Sequence, residues 1–204
     1  MITIINYGLG NVQAFANLYK RLNIPAAIAS SAAGLEGATK LILPGVGAFD
    51  HAMELFDGSG MRETVDELVL KQRKPVLGVC VGMQILARGS DEGKLAGLGW
   101  VDGQVRRFDE KKLPQPARLP HMGWNDVVPK HGAGLFAGLE QDARFYFLHS
   151  YYFDCASSDH VLATSEYGSA FGCAVHSDNI YGVQFHPEKS HAYGVRLLKN
   201  FAEL

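Results

Sequence analysis

PVLGVCVGMQILA, residues 75–87, is the stretch that decides the fold. Its first part, residues 76–79, is an apolar run typical of a buried strand, and a helix is predicted to follow over residues 82–88. Residues 78–82, Gly-Val-Cys-Val-Gly, follow the pattern of a nucleophile elbow, a sharp turn from strand to helix that presents a nucleophile, here Cys80, between two glycines. Because such a turn joins a strand directly to a helix, the stretch predicts an α/β protein.

Strands and helices are predicted to alternate upstream of the elbow, which indicates βαβ units and a largely parallel sheet. The predicted strands cover residues 2–6, 26–30 and 41–43, and the predicted helices cover residues 10–22, 48–57 and 61–73. The downstream part differs, because its apolar runs have the spacing of antiparallel strands. Those runs lie near residues 98–108, 145–153, 161–165, 171–176 and 180–185.

Two further segments complete the prediction. Residues 109–134 contain several prolines and are predicted to be irregular surface structure. Ser190 is predicted to N-cap a final helix. We therefore expect a single α/β domain over residues 1–204, with a mixed, mostly parallel central sheet flanked by helices and extended by antiparallel strands.

The composition excludes several classes of protein. The 204 residues are 47% hydrophobic and 20% charged, and 19 basic residues face 21 acidic ones, for a formal net charge of -2. This balance excludes global disorder, and without a basic surplus neither nucleic acid nor an anionic membrane is an expected partner. No window approaches the ~20 apolar residues of a membrane span. The 23 glycines are typical either of a loop-rich protein or of many tight strand-to-helix turns.

The cysteines point to a reducing compartment. Cys80, Cys155 and Cys173 are odd in number, and no two have the C-x-x-C spacing of a metal site, so we expect a cytoplasmic protein without disulfides. The sequence predicts neither a metal nor a cofactor. An isolated Cys is usually a buried structural residue. The glycines around Cys80 favour the nucleophile instead, because a helix N-terminus behind the thiol stabilises a thiolate and offers N–H groups to an oxyanion.

A thiol nucleophile needs a base, and the base needs a group that orients it. His186 ends an apolar run and precedes a proline, in Phe-His-Pro-Glu, so Glu188 can face the same place as the imidazole. The alternative is a plain polar turn closing a strand. Together with Cys80, however, these residues supply all three roles of a catalytic triad.

These motifs resemble the class I (triad) glutamine amidotransferases. Gly-Val-Cys-Val-Gly-Met-Gln is followed about a hundred residues later by Phe-His-Pro-Glu-Lys-Ser, and the resemblance covers essentially the whole chain. It implies a flavodoxin-like fold. Four segments resemble more closely the glutaminase subunits of imidazole glycerol phosphate synthases, the histidine-pathway enzymes. They are Asn-Tyr-Gly-Leu-Gly-Asn at 6–11, Pro-Gly-Val-Gly at 44–47, Pro-His-Met-Gly-Trp-Asn at 120–125 and His-Pro-Glu-Lys-Ser at 186–190.

The resemblance implies a role for each residue of the site. Cys80 attacks the carboxamide carbon of glutamine, forming a γ-glutamyl thioester and releasing ammonia, while His186 moves the protons and Glu188 orients it. The implied oxyanion-binding residues, which act through backbone N–H groups, are Gly45, Val46, Gly47 and Val81. The implied glutamine-binding residues are Gln84, His149, Ser150 and Tyr151, the last three through their backbone.

The resemblance also implies a heterodimer with a (β/α)8-barrel cyclase. That partner uses the ammonia to make imidazole glycerol phosphate and an aminoimidazole carboxamide ribotide, and the expected interface residues are Asn11, Trp124 and Lys189. The glycines on both sides of Val46 suggest that its peptide turns over, so that the oxyanion hole is complete only with partner and acceptor bound.

Two other functions stay open at this point. A paralogous amidotransferase subunit for nucleotide-sugar modification shares the triad and a barrel-type partner. A catalytically silent binding protein on the same scaffold normally lacks one member of the triad, whereas Cys80, His186 and Glu188 are all present.

Overall fold

A mixed eight-stranded sheet forms the centre of the computed structural model, which describes residues 1–113, 116 and 118–204. The strands of the described residues are β1 (Ile2–Ile5), β2 (Ala26–Ala29), β3 (Lys40–Gly45), β4 (Val76–Cys80), β5 (Gly103–Arg107), β6 (His121–Asp126), β7 (Val128–Pro129), β8 (Arg144–His149), β9 (Tyr151–Cys155), β10 (Val161–Glu166), β11 (Ala170–Ser177) and β12 (Ile180–Val183). The α-helices are α1 (Val12–Arg21), α2 (Phe49–Gly58), α3 (Arg62–Asp66), α4 (Val81–Gln84) and α5 (His191–Glu203).

The strand order confirms a parallel core extended by antiparallel strands. The central sheet has the order β2-β1-β3-β4-β12-β11-β10-β7. Its pairs from β2 to β12 are parallel, and those from β12 to β7 are antiparallel. Two small antiparallel sheets, β5–β9 and β6–β8, lie beside it. Strand β4 lies between β3 and β12, so the chain segments that follow these three strands meet at one edge.

Apolar side chains from both faces of the sheet form the core. Strand β1 is buried over its whole length, as expected for a strand covered on both faces. The predicted final helix is present as α5, in which Leu197, Leu198 and Phe201 are fully buried. Helix α1 begins where Asn11 Oδ1 accepts a hydrogen bond from the backbone N–H of Ala14, 3.2 Å away.

The helix predicted after the elbow is too long. The apolar pattern predicts it over residues 82–88, but α4 ends at Gln84. The carbonyls of the next residues accept hydrogen bonds from another segment instead: Ile85 O from Leu98 N and Ala87 O from Gly99 N, at 2.8 and 3.0 Å. These bonds divert the chain into a loop. The helix predicted over 61–73 is found in part, as α3 followed by one wider π-type turn at Glu67–Lys71.

The prediction of irregular structure over residues 109–134 is wrong for its second half. Residues 121–126 form β6, which pairs antiparallel with β8, and β7 pairs with β10. The prolines lie outside β6 and one of them ends β7, so they limit the strands without preventing them. Residues 114, 115 and 117 of the predicted segment lie outside the described residues.

Two smaller predictions are also corrected. The run 145–153 is two strands, β8 and β9, interrupted at Ser150. Ser190 precedes α5, but its side chain makes no capping hydrogen bond. Its Oγ donates instead to His186 O at 2.6 Å and accepts from Tyr146 N at 3.0 Å, so it ties the turn after β12 to β8. In the part of the chain that the structure describes, no helix combines the length and apolar character that crossing a membrane requires.

Candidate active site

Cys80 stands at the end of β4 in a strained backbone conformation. Its φ is +55° and its ψ is -114°, a region in which a non-glycine residue costs about 1–3 kcal/mol. Positions 78 and 82 must be glycine because backbone atoms approach both of them too closely for a side chain. A Cβ on Gly82 would lie 1.9 Å from Leu43 O, and one on Gly78 would lie 2.5 Å from Gly82 O. The chain therefore has the backbone of a nucleophile elbow, with the thiol raised above the edge of the sheet.

His186 and Glu188 stand beside the thiol. His186 Nδ1 donates to Glu188 Oε1 at 2.8 Å, and both side chains are buried. Burial by itself lowers the pKa of His186, but the neighbouring Cys80 and Glu188, which favour the protonated ring, outweigh this and raise the pKa well above its ordinary value. The imidazole is thus well placed to hold a proton taken from the thiol.

A cavity of about 260 Å³ opens in front of Cys80. Its size suits a small substrate rather than a drug-sized ligand. Most of the predicted site residues contribute to its wall. Those lining it are Val46, Gly47, Cys80, Val81, Gln84, His149, Ser150, Tyr151, His186 and Lys189.

The predicted oxyanion segment lies at the end of β3, beside the nucleophile. Gly45 pairs with Cys80 in the parallel register of β3 and β4. It is not on the cavity wall, but a Cβ there would lie 2.5 Å from Gly82 N, so only glycine lets β3 approach the elbow this closely. Val46 and Gly47 continue onto the wall, and Gly47 has a φ of +88°. Val81 is the first residue of α4, where backbone N–H groups have no helical acceptor.

Two glutamines connect the cavity wall to the thiol. Gln84, for which the sequence predicts contact with the substrate, lies on the wall, where its Nε2 donates to Gln184 Oε1 at 3.0 Å and to Tyr151 O at 3.3 Å. Gln184 Nε2 in turn lies 3.9 Å from Cys80 Sγ as a donor. Sequence reasoning missed Gln184, which precedes Phe-His-Pro-Glu and is fully buried despite being polar.

Glu92 is a second residue that sequence reasoning missed. It lines the cavity, and its Oε2 accepts from the backbone N–H of Phe49, the first residue of α2, at 2.9 Å. This hydrogen bond holds the Glu92 carboxylate, which belongs to the loop after α4, in place beside the cavity. The signal in the sequence was the acidic pair in Ser-Asp-Glu-Gly at 90–93, which no pattern distinguishes from a solvent-exposed turn.

A buried pair of histidines lies behind the wall. His149 Nδ1 is 2.7 Å from Tyr151 O, His149 Nε2 is 2.9 Å from His121 Nδ1, and His121 Nε2 is 3.1 Å from Asn125 Nδ2. His121 and Asn125 were not predicted, because only the register of β6 with β8 brings residue 121 opposite residue 149.

These two histidines predict a loss of stability in acid. Burial lowers the pKa of His121 to about 4 and that of His149 to about 3. In an unfolded chain the pKa of each histidine is about 6.5. At a pH between this value and the lowered pKa of the folded state, the unfolded state binds more protons than the folded state. The free energy of unfolding therefore falls as the pH drops from about 6.5 towards 4, by up to about 1.4 kcal/mol per pH unit for each histidine.

The measurement is urea unfolding across that range. His121→Asn removes one titrating group and is expected to reduce the slope by up to about 1.4 kcal/mol per pH unit, and His51→Gln, on the exposed surface, is the matched control substitution. An unchanged slope in His121→Asn would contradict the assignment. His186 does not interfere, because its raised pKa gives a contribution that is complete below about 6.5 and is lost only as the pH rises further.

The predicted interface residues lie near the same edge of the sheet. Trp124 is 40% exposed and stacks on His191, with ring centroids 5.4 Å apart. Lys189 Nζ lies 5.9 Å from the ring centre of Tyr146, at the cavity wall. Asn11 is exposed at the start of α1 and follows a glycine packed against the end of β3. Within the described residues, no group of three His, Cys, Asp or Glu side chains is arranged to hold a metal.

Comparison with known proteins identifies the family of the chain. The sequence profile of the family described as Glutamine amidotransferase class-I matches residues 5–204. A solved structure described as a glutamine amidotransferase superposes with a TM-score of 0.76 at 22% identity, covering 99% of this chain and 97% of its own. A glutamine amidotransferase from Thermotoga maritima gives a TM-score of 0.63 at 18% identity, with 99% and 82% covered. The chain belongs to the class I glutamine amidotransferase family.

Relatives that align over the whole chain show which subgroup of the class I family it resembles. The chain is 62% identical to the imidazole glycerol phosphate synthase subunit HisH of Bdellovibrio bacteriovorus, with 100% of both chains covered. It is 49% identical to the HisH subunit of Leptospira interrogans and 45% identical to HisH 2 of Pseudomonas aeruginosa, again over 100% of both chains. Within class I, the chain therefore groups with the HisH glutamine amidotransferase subunits.

Proposed function

We propose that the chain hydrolyses glutamine to glutamate and ammonia through Cys80, His186 and Glu188, and that it passes the ammonia to a cyclase subunit in histidine biosynthesis. The observation that carries the proposal is the thiol of Cys80, held at a strained turn on the wall of a small cavity that His186 also lines, with His186 hydrogen-bonded to the buried Glu188. The 62% identity to a HisH subunit supports the particular pathway.

The chemistry begins with proton transfer from Cys80 to His186. The thiolate attacks the carboxamide carbon of glutamine, and the oxygen gains a negative charge. Backbone N–H groups at Val81 and in the Val46–Gly47 segment are the donors available to it. The intermediate collapses to a γ-glutamyl thioester as His186 protonates the departing ammonia. His186 then takes a proton from water, which attacks the thioester, releases glutamate and restores the thiol.

The cavity wall opposite the thiol binds the amino-acid end of glutamine. Glu92 supplies a negative charge that pairs with the α-ammonium group, and Ser150 and Tyr151 line the same cavity. The amide of Gln84 is anchored to two protein acceptors, so it acts as part of the wall's framework.

Glu92→Gln is expected to raise KM for glutamine by about 10- to 100-fold with little change in kcat, because a charged hydrogen bond contributes about 1.5–3 kcal/mol. The amide oxygen of the new side chain still accepts from Phe49 N, which preserves the start of α2. Steady-state glutaminase kinetics measure the effect. Glu54→Gln, exposed on α2, is the matched charge control and should have the wild-type KM. A fall in kcat at constant KM would contradict this role.

The partner in this proposal is a (β/α)8-barrel cyclase, in a heterodimer with this chain acting as one glutaminase domain over residues 1–204. The relatives are named as subunits of a synthase, which supports a second subunit that consumes the ammonia. Ammonia that enters water is protonated and diluted. A cyclase that receives the ammonia directly is therefore expected to dock over the mouth of the cavity. Trp124 and Lys189 lie on that side, and Asn11 lies near the end of β3. We place the complex in the cytoplasm.

Regulation through the oxyanion segment is part of the proposal. Gly45 and Gly47 flank Val46, and its side chain is 42% exposed, so the peptide has room to change orientation when the partner binds. A gated oxyanion hole prevents glutamine from being hydrolysed when no acceptor is present.

The experiment is copurification with the barrel cyclase, followed by a glutaminase assay with and without the acceptor. The acceptor is the phosphoribulosyl formimino intermediate with which the ammonia reacts in the cyclase. We expect a stable complex in which the acceptor stimulates turnover. Stimulation by a nucleotide-sugar acceptor instead would identify the paralogous amidotransferase. A stable complex without any turnover would identify a silent binding protein, and equal turnover with and without acceptor would contradict the regulation.

A further inference from the structure

The side chain of His149 has no part in the reaction proposed above, although the residue lines the cavity. It is buried, and its two ring nitrogens contact His121 of β6 and Tyr151 of β9. Its Nδ1 meets the carbonyl of Tyr151, two residues further on. Ser150 lies between them, where β8 ends and β9 has not yet begun. At this junction between two ladders, the hydrogen bond of the His149 side chain adds to a backbone contact, in which Phe108 N donates to Ser150 O at 3.2 Å.

The partners of the two histidines determine where the protons are. A backbone carbonyl only accepts, so His149 Nδ1 must carry the hydrogen, and the Nε2 of a neutral ring is then an acceptor. His121 Nδ1 therefore donates to His149 Nε2, which leaves His121 Nε2 as an acceptor for Asn125 Nδ2. The Asn125 amide is oriented independently, because its Nδ2 also donates to Glu166 O at 2.8 Å and its Oδ1 accepts from Asp126 N at 2.8 Å.

Packing holds this chain of hydrogen bonds in place. His121 is 4% exposed and stacks between Phe147 and Tyr167, at centroid distances of 4.8 and 4.1 Å and interplanar angles of 21° and 19°. Because the pKa values of both rings are lowered by burial, they stay neutral near pH 7 and the direction of every bond is preserved. A neutral His149 also places no positive charge next to the catalytic His186.

We propose that His149 is a positioning residue for glutamine binding, and that His121 and Asn125 hold its ring in the Nδ1–H form that grips the Tyr151 carbonyl. That carbonyl also accepts from Gln84 Nε2, so one oxygen joins the wall at β9 to the wall at α4. The inference rests on the proposed function and assigns the pair to substrate affinity rather than to the chemical step.

The test compares two substitutions of His121 in the complex with the cyclase. His121→Leu removes the donor to His149, and His121→Asn keeps an N–H donor near the position of Nδ1. We expect His121→Leu to raise KM for glutamine about tenfold with kcat within about threefold of wild type, the effect of losing one neutral hydrogen bond. His121→Asn should stay within about threefold of the wild-type KM. Equal KM values for the two variants, or a loss confined to kcat, would overturn the proposal.

A second measurement keeps the inference testable if His121→Leu does not fold. Nitrogen NMR of the imidazoles in the wild-type chain should find His149 with a protonated Nδ1 and an unprotonated Nε2 near pH 7, and the same in His121→Asn. A His149 ring protonated at Nε2 instead of Nδ1 would overturn the inference independently of the kinetic measurements. If the wild-type complex fails to turn over glutamine, the proposed function fails, whereas normal turnover with the wrong tautomer or an unchanged KM removes only the positioning role.

Discussion

Cys80→Ser is expected to abolish glutamine-dependent synthesis by the complex and to leave ammonia-dependent synthesis by the cyclase intact. The hydroxyl nearly matches the thiol in shape, so the elbow and its glycines are unaffected. A serine hydroxyl is far harder to deprotonate than a thiol, so His186 generates much less of the nucleophilic anion at this position. We expect glutaminase turnover to fall at least about a thousandfold, as is typical for loss of a nucleophile.

The control for this prediction is Cys155→Ser. Burial, followed by the neighbouring Asp154, raises the pKa of Cys155 to about 12, so its thiol stays protonated and takes no part in catalysis. Both reactions should proceed at wild-type rates in this variant. The assay follows product formation from glutamine and from ammonium in the same preparation. Loss of both reactions in a folded Cys80→Ser complex would contradict the assigned role, as would retention of glutamine-dependent synthesis.

Gly82→Ala is expected to damage stability and activity together. The added Cβ would lie 1.9 Å from Leu43 O and 3.2 Å from the carbonyl carbon of Pro44, and backbone atoms cannot rotate away as a side chain would. Relief of the contact must push β3 from the elbow and carry the oxyanion segment with it. We expect a loss of about 3 kcal/mol or more in the free energy of unfolding, at the upper end for overpacking.

Gly58→Ala is the matched control, because a Cβ at this last residue of α2 meets nothing within 4 Å. It should be neutral or stabilise the protein by up to about 1 kcal/mol, since alanine is the better helix former. Urea unfolding of the two variants and of the wild type makes the comparison. If Gly82→Ala unfolds at the wild-type urea concentration, the close approach of β3 to the elbow is not required for the fold.

Local patterns predicted the parts of this protein in which neighbours in sequence act together. The elbow around Cys80 is one, because strand, strained turn and helix follow within ten residues. The turn at His186 is another, since the residue that orients the base is two positions away. In the structure, Cys80 ends β4 and α4 begins at the next residue, and His186 Nδ1 lies 2.8 Å from Glu188 Oε1.

Other parts depend on pairing between distant segments, which no local pattern contains. Strand β6 was missed because prolines border it and Gly123 interrupts its apolar character, yet β8 supplies it with a full set of backbone partners. The contact of His121 with His149 exists only in that register. Glu92 reaches the cavity from a loop whose course is set by the early end of α4, which long-range hydrogen bonds of residues 85–87 impose.

The position of β12 in the sheet determines when the site is assembled during synthesis of the chain. Strand β4 carries the thiol, but the strand that delivers His186 is the last of the twelve described and is inserted beside β4 from about a hundred residues further along. At typical elongation rates, Cys80 leaves the ribosome about 5–20 s before its base. During that interval the nascent chain carries the thiol without His186, and in the proposed mechanism glutamine hydrolysis requires that the final strand has joined the sheet.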